Sequence, residues 1–263
     1  MTPAPPPAPP PAPGLHHAAP PRSDTAPHPP RFLLEPLRPL ARRVLRQRWE
    51  VEVHGAEHVP GTGPVIFASN HIGIADGPIL TIFAPRPVHS LTKVEMFSGG
   101  MGRFLHFSGQ VPLDRFNPDP RAVKTCLRVL REGRTIGIFP EGRRGGGDVE
   151  RFHRGAAYFG MVTGAPVVPV AMLGTRRPGG HTDEWPARGS RIDLVFGPPE
   201  VLEPVPWPRT REQLDRASLL LREHLRTHLE QALATTGRSL PGPLPATEVE
   251  PDPATGVTEQ GAP

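Results

Sequence analysis

The sequence has a single cysteine, Cys126, so it cannot close an internal disulfide. One thiol in a chain of this size fits a reducing compartment. No apolar run approaches the roughly 18 residues that a membrane-spanning helix needs. The first residues lack the basic stretch and apolar core of a secretory leader. Basic residues are not interleaved with aromatics, no Cys/His set has zinc spacing, and no helix-turn-helix pattern occurs. These absences argue against nucleic acid as a partner. The formal net charge is only +4, yet the sequence pI is near 10.1 because arginine dominates the bases. A mildly basic surface of this kind suits phosphorylated substrates or anionic membranes.

Proline, by contrast, is abundant: 39 of 263 residues, crowded toward the two ends. Residues 1–30 and 238–263 are rich in Pro, Ala and Thr and have little to bury, so they are expected to be disordered tails. Between them lies a basic amphipathic segment, 31–48, and then one domain, 49–237. In that domain strand and helix patterns alternate. The runs "WEVEVHG", "PVIFAS", "VHSLT", "QVPLD", "TIGIFP", "PVVPVAML" and "RIDLVFG" read as strands, several of them apolar throughout. Helices are expected after "DGP", over 119–132, over 155–164 and over 210–237, the second and third closed by glycine. The stretch "MFSGGMGRFLHFSG" is ambiguous. Alternation of this kind predicts an α/β fold with a largely parallel central sheet and helices on both faces. Cys126 falls on the apolar face of the helix over 119–132, where a buried structural thiol is expected.

In such sheets ligands bind beyond the carboxyl ends of the strands. Three polar clusters follow predicted strands directly: His71, Asp114 to Arg115, and Glu141 to Arg144. His71 and Asp76, five residues apart, sit at a strand-to-helix turn. An imidazole there can act as a base near neutral pH, with the carboxylate fixing its tautomer. Two other readings remain open at this stage: Asp76 as a plain helix cap, or the pair as part of a metal site. The adjacent segments supply no obvious further ligand set. In "FPEGRRGGGDVERFHRG" a strand stops at Pro140 and arginines lead into three glycines, a composition suited to phosphate contact or simply to a flexible basic loop. Arg115 and Lys93, each taken alone, read equally well as solvated surface charges.

Together these segments resemble the glycerolipid acyltransferase family, typified by 1-acyl-sn-glycerol-3-phosphate acyltransferase. Asn70, His71 and Asp76 match its first motif, Asn-His-four-any-Asp. Gly109 to Arg115 resembles the second. Phe139, Pro140, Glu141, Gly142 and Arg144 match the third, Phe-Pro-Glu-Gly-Thr-Arg. Val168, Pro169 and Val170 resemble the fourth. Lys93 and Glu95 resemble a Lys-any-Glu element between the first two. Arg143 stands where the family has Thr, Gly145 where Ser is frequent, and Gly73 where many members have Ser.

The resemblance implies that His71 deprotonates an acceptor hydroxyl and that Asp76 orients it. The hydroxyl then attacks the thioester of acyl-CoA or acyl-carrier protein. Arg115, Arg144 and Lys93 would hold the acceptor phosphate, and Glu141 and Gly142 would shape its pocket. No metal and no organic cofactor are implied. The implied acceptor is 1-acyl-glycerol-3-phosphate and the product phosphatidate. The same chemistry on glycerol-3-phosphate, another lysophospholipid or a glycolipid, and a thioesterase, are the alternatives. A lipid acceptor makes peripheral contact with anionic membrane, on the cytoplasmic face, the expected location. The basic segment 31–48, with Leu33, Leu37, Leu40, Ala41 and Val44 at helical spacing, is the candidate contact.

Overall fold

The computed structural model describes residues 23–244, Glu248 and the pair 256–257. The expected tails over 1–22 and most of 245–263 lie outside the described residues. The strands are β1 (Glu50–His54), β2 (Val65–Ser69), β3 (Val88–Lys93), β4 (Val111–Leu113), β5 (Thr135–Ile138), β6 (Phe152–His153), β7 (Val167–Leu173), β8 (Arg191–Phe196) and β9 (Gly256–Val257). The helices are α1 (Leu37–Arg46), α2 (Asp76–Phe83), α3 (Gly99–Phe107), α4 (Pro120–Arg131), α5 (Gly155–Thr163) and α6 (Arg211–Thr236). The ambiguous Gly-rich stretch is thus helical, as α3.

Seven strands form the main sheet in the order β1-β8-β7-β2-β5-β3-β4, and β6 pairs with β9. All neighbours in the main sheet are parallel except β7 and β8. The reversal has a simple cause. Residues 174–190 contain no helix to carry the chain back across the sheet, so β8 returns beside β7 in the opposite direction.

β2 shows why its sequence is apolar throughout. Val65 and Phe67 pack with Ile79, Leu80 and Phe83 of α2 on one face. Ile66 and Ala68 pack with residues of α4, α5 and α6 on the other. Burial on both faces removes the polar alternation of a half-exposed strand. The α/β architecture with helices on both faces is therefore as the sequence predicts. Cys126 is fully buried on the inner face of α4, and burial pushes its thiol well above the ordinary value. A thiol held in that form is a poor nucleophile.

Two flanking segments differ from what composition suggests. Residues 23–30, which composition assigns to the N-terminal tail, lie on α4 and the start of β5. Arg128 donates to Asp24 O at 2.8 Å, and Arg134 to Pro29 O at 3.3 Å. At the other end, Arg238 donates to Asp193 Oδ2 at 2.9 Å, and the Gly242 carbonyl accepts from Arg176 at 2.7 Å.

α1 turns its amphipathic faces the unexpected way round. Arg38 and Arg42 face the domain and donate to the Ile82 and Ala84 carbonyls at the C-terminal end of α2. Burial, with the neighbouring charge of Arg42, lowers the Arg38 guanidinium to about 10. Leu37, Leu40 and Val44 face outward and are 38%, 60% and 53% exposed. Among the described residues no helix is long and apolar enough to cross a membrane.

Candidate active site

The exits of β2, β5 and β7 meet at one edge of the sheet. β2 pairs with β5 and β7 on its two sides, so whatever follows these three strands shares one rim. Asn70 locks the first and third together: its amide donates to Met172 O at 3.1 Å and accepts from Met172 N at 2.7 Å.

His71 follows, and the chain turns into α2. Asp76 is the first residue of that helix, but it does not cap the helix amides. Its carboxylate reaches backward. Oδ2 accepts from His71 Nδ1 at 2.7 Å, from Ile72 N at 2.7 Å and from Gly73 N at 2.9 Å. Oδ1 accepts from the hydroxyl of Thr175. The Asp76 side chain is fully buried, while that of His71 keeps 21% exposure. A buried carboxylate needs donors on both oxygens to offset its desolvation. With Nδ1 held by the carboxylate, Nε2 is the nitrogen left to exchange a proton with a substrate. The imidazole also stacks on Phe139, with ring centres 4.2 Å apart.

The β5 exit is a β-turn. Gly142 N donates to Phe139 O at 3.0 Å, with Pro140 at the second position and Gly142 at the fourth. The turn directs Glu141 inward, where its Oε1 accepts from His71 N at 2.7 Å. Glu141 is buried, and desolvation, opposed by that bond, raises its carboxyl from the ordinary 4.5 to about 8. Near neutral pH it is mainly protonated.

The three glycines that follow serve packing. Gly145 N donates to His71 O at 2.9 Å. At Gly147, with φ of 80°, an added Cβ would stand 2.2 Å from Ile72 Cγ2. The glycine run lets this loop lie directly on the His71 turn.

The basic residues separate. Arg115 Nη1 donates to Gly142 O at 2.9 Å, which brings it against the β5 turn. Lys93 ends β3 in register with Leu113, two residues before Arg115. Arg144 goes elsewhere. It is buried, with Nη1 on Thr182 O at 3.0 Å and on Asp183 Oδ1 at 2.5 Å. Its acidic partner Asp183 is 76% exposed, so the pair sits at the surface.

Two residues at the β7 exit were not singled out from the sequence, Thr175 and Arg176. Arg176 is 4% exposed and donates to the carbonyls of Ile72, Gly145, Gly180 and Gly242. It ties the His71 turn to the glycine loop. The signal was available: "GTRR" follows a buried strand just as "SNH" does.

Among the described residues, Glu52, His54 and Asp193 bring metal-ligand atoms within 4.8 Å of one another. Asp193 is already bonded to Arg191 and Arg238, both at 2.9 Å. Two guanidinium groups on the central carboxylate make this an ion-pair network, a poor cradle for a further cation.

Comparison with known proteins bears on the same residues. The sequence profile of the family described as Acyltransferase matches residues 50–173, which include His71, Asp76, Glu141 and Arg144. The 1-acyl-sn-glycerol-3-phosphate acyltransferase of Bacillus subtilis is 35% identical over 133 residues, which are 50% of this chain and 66% of that protein. The protein of the same name from Borreliella burgdorferi is 32% identical over 135 residues, 48% of this chain and 52% of its own. The matched stretches thus span between about half and two thirds of these relatives. The crystal structure of the 1-acyl-sn-glycerophosphate acyltransferase PlsC from Thermotoga maritima superposes with a TM-score of 0.59, covering 77% of this chain and 80% of that one. At 23% identity it speaks for the fold. The chain belongs to the acyltransferase family that contains the 1-acyl-sn-glycerol-3-phosphate acyltransferases.

Proposed function

We propose that the protein transfers a fatty acyl group from acyl-CoA or acyl-carrier protein to the free hydroxyl of 1-acyl-glycerol-3-phosphate, giving phosphatidate. The observation that carries this reading is the His71–Asp76 pair, held at 2.7 Å in a matching family domain. His71 Nε2 takes the hydroxyl proton as the acceptor oxygen forms its bond to the thioester carbonyl carbon. The tetrahedral intermediate collapses with breakage of the C–S bond. The proton on His71 passes to the departing thiolate, which leaves as free thiol. The ester is formed and the base is regenerated without an acyl-enzyme. Asp76 holds the tautomer and offsets the imidazolium charge. General-base help of this kind typically contributes about 10² to 10⁴ in rate.

Arg115 and Lys93 are the cations best placed for the acceptor phosphate, on the exits of β4 and β3 beside the Gly142 turn. Glu141 acts on the main chain of His71 and so shapes the pocket from behind. The pairing of Arg144 with Asp183 supports, as a second reading, the same chemistry on an acceptor without a phosphate, such as a glycolipid.

The lipid acceptor implies peripheral contact with an anionic membrane on the cytoplasmic side. The outward apolar side chains Leu37, Leu40 and Val44, flanked by the exposed Arg43 and Arg46, support α1 as the contact.

The test is thiol release from palmitoyl-CoA with and without lysophosphatidate, for the wild type and His71→Ala, with lipids read by mass spectrometry. Acceptor-dependent release that forms phosphatidate and disappears in the variant is expected. Release independent of acceptor would identify a thioesterase instead. Turnover only with glycerol-3-phosphate or another lysolipid would change the acceptor, and turnover only with a glycolipid would select the second reading.

A further inference from the structure

We propose that Thr175 is a positioning residue for the base: its hydroxyl fixes the second oxygen of Asp76, so that the first stays aligned with His71 Nδ1. The inference rests on the acyl-transfer reading above for its kinetics, and on the structure alone for its geometry.

The donors around Asp76 are unevenly shared. Oδ2 takes His71 Nδ1 and the amides of Ile72 and Gly73. Oδ1 takes the Thr175 hydroxyl, which arrives from a point 99 residues later in the chain. Both Asp76 and Thr175 are fully buried, so water does not substitute for that hydroxyl. The terminal torsion of an aspartate is broad and has no deep staggered minima. A carboxylate anchored through one oxygen therefore keeps rotational freedom, and a bare buried oxygen is costly. A donor on each oxygen removes both problems.

The rest of the β7 exit reinforces the placement. Asn70 bridges to both backbone groups of Met172, three residues before Thr175. Arg176, the next residue, donates Nε to Ile72 O at 2.8 Å. The Thr175 backbone is also close to the turn itself: an added Cβ at Gly73 would stand 3.0 Å from Thr175 O. The hydroxyl thus comes from a segment gripped on both sides, and it transmits that rigidity to the carboxylate.

Thr175→Val keeps the shape and removes the donor. Thr175→Ser keeps the donor and removes a methyl group. The valine variant is expected to lose about tenfold or more in kcat with little change in KM, the size of one hydrogen bond to a charged group. The serine variant is expected to stay within about threefold of the wild type, since it retains that bond. A second readout needs no substrate. The downfield proton NMR signal of the His71 Nδ1–H, assigned by its loss in His71→Ala, should weaken or move in Thr175→Val and persist in Thr175→Ser.

If the valine variant keeps wild-type kcat and the wild-type resonance, the proposal is overturned. Equal damage from both variants overturns it as well, because then bulk rather than the hydroxyl matters. If no protein transfers an acyl group to lysophosphatidate or to any of the alternative acceptors, the acyl-transfer reading fails. The resonance then decides alone: a change confined to the valine variant upholds the positioning role, and no change overturns it.

Discussion

The two ends of α2 are treated in opposite ways. At its N-terminus the helix carries Asp76, whose carboxylate turns back to hold His71. At its C-terminus it presents the Ile82 and Ala84 carbonyls, and Arg38 and Arg42 from α1 close over them. Both arrangements follow the helix dipole, with the anion at the start and cations at the end. They differ in what the charge is for. The anion has a partner that can change protonation during a reaction. The cations meet only backbone carbonyls and hold a neighbouring helix in place. A basic residue on an amphipathic helix is therefore no sign of a membrane face until its contacts are known.

This contrast predicts that damage at the first end appears in rate and damage at the second in stability. The largest effect is expected from His71→Ala. It should lower kcat by about 10³ while the folded fraction, read by circular dichroism, stays near that of the wild type. Asp76→Asn should be comparable, because the amide lacks the negative charge that offsets the imidazolium formed on His71.

Glu141, on the same side as His71, is the exception to the first half, because its buried proton bears on stability. The unfolded carboxyl loses its proton near the ordinary 4.5, whereas the folded one keeps it to about 8. The folded state binds the extra proton between those values, so its stability falls as pH rises through that window. Glu141→Gln should retain an acceptor for His71 N and flatten this dependence by a few kcal/mol, measured by urea unfolding at pH 5, 7 and 9.

At the other end, Arg38→Ala and Arg42→Ala should each cost about 1 kcal/mol, since either arginine alone still serves both carbonyls. The double variant should cost more than the sum, and a double-mutant cycle reads the coupling directly. kcat per folded molecule should barely move; a large loss would break the contrast. The smallest effect, about 1 kcal/mol and no change in kcat, is expected from Thr210→Ala, which removes the capping box with Gln213 at the start of α6, far along the chain from both ends.

Much of this was legible beforehand. Continuous apolar runs marked β2, β5 and β7 because strands covered on both faces have no reason to alternate. The spacing of His71 and Asp76 marked the pair, since five residues suffice to wrap one turn. The helix over 119–132 matched α4, with Asp119 as its cap through Ala122 N at 2.9 Å. Arg144 shows the limit. Its sequence neighbours suggested phosphate contact, but Asp183 lies 39 residues away and nothing local announces it. The three glycines read as room for a ligand and prove to be room for the His71 turn.

The sequence by itself determined most of the element order and the apolar runs of the two-sided core, and it put His71 and Asp76 within reach of one another. Each depends on short-range periodicity or on residues within one turn of chain. The tertiary structure alone decided which partners complete the site. Glu141, Thr175 and Arg176 reach His71, Asp76 and Ile72 respectively from 70 to 104 residues away, because the pairing of β2 with β5 and β7 brings three strand exits to one rim. It also decided which face of α1 points outward, because the unpaired carbonyls at the end of α2 drew its arginines inward.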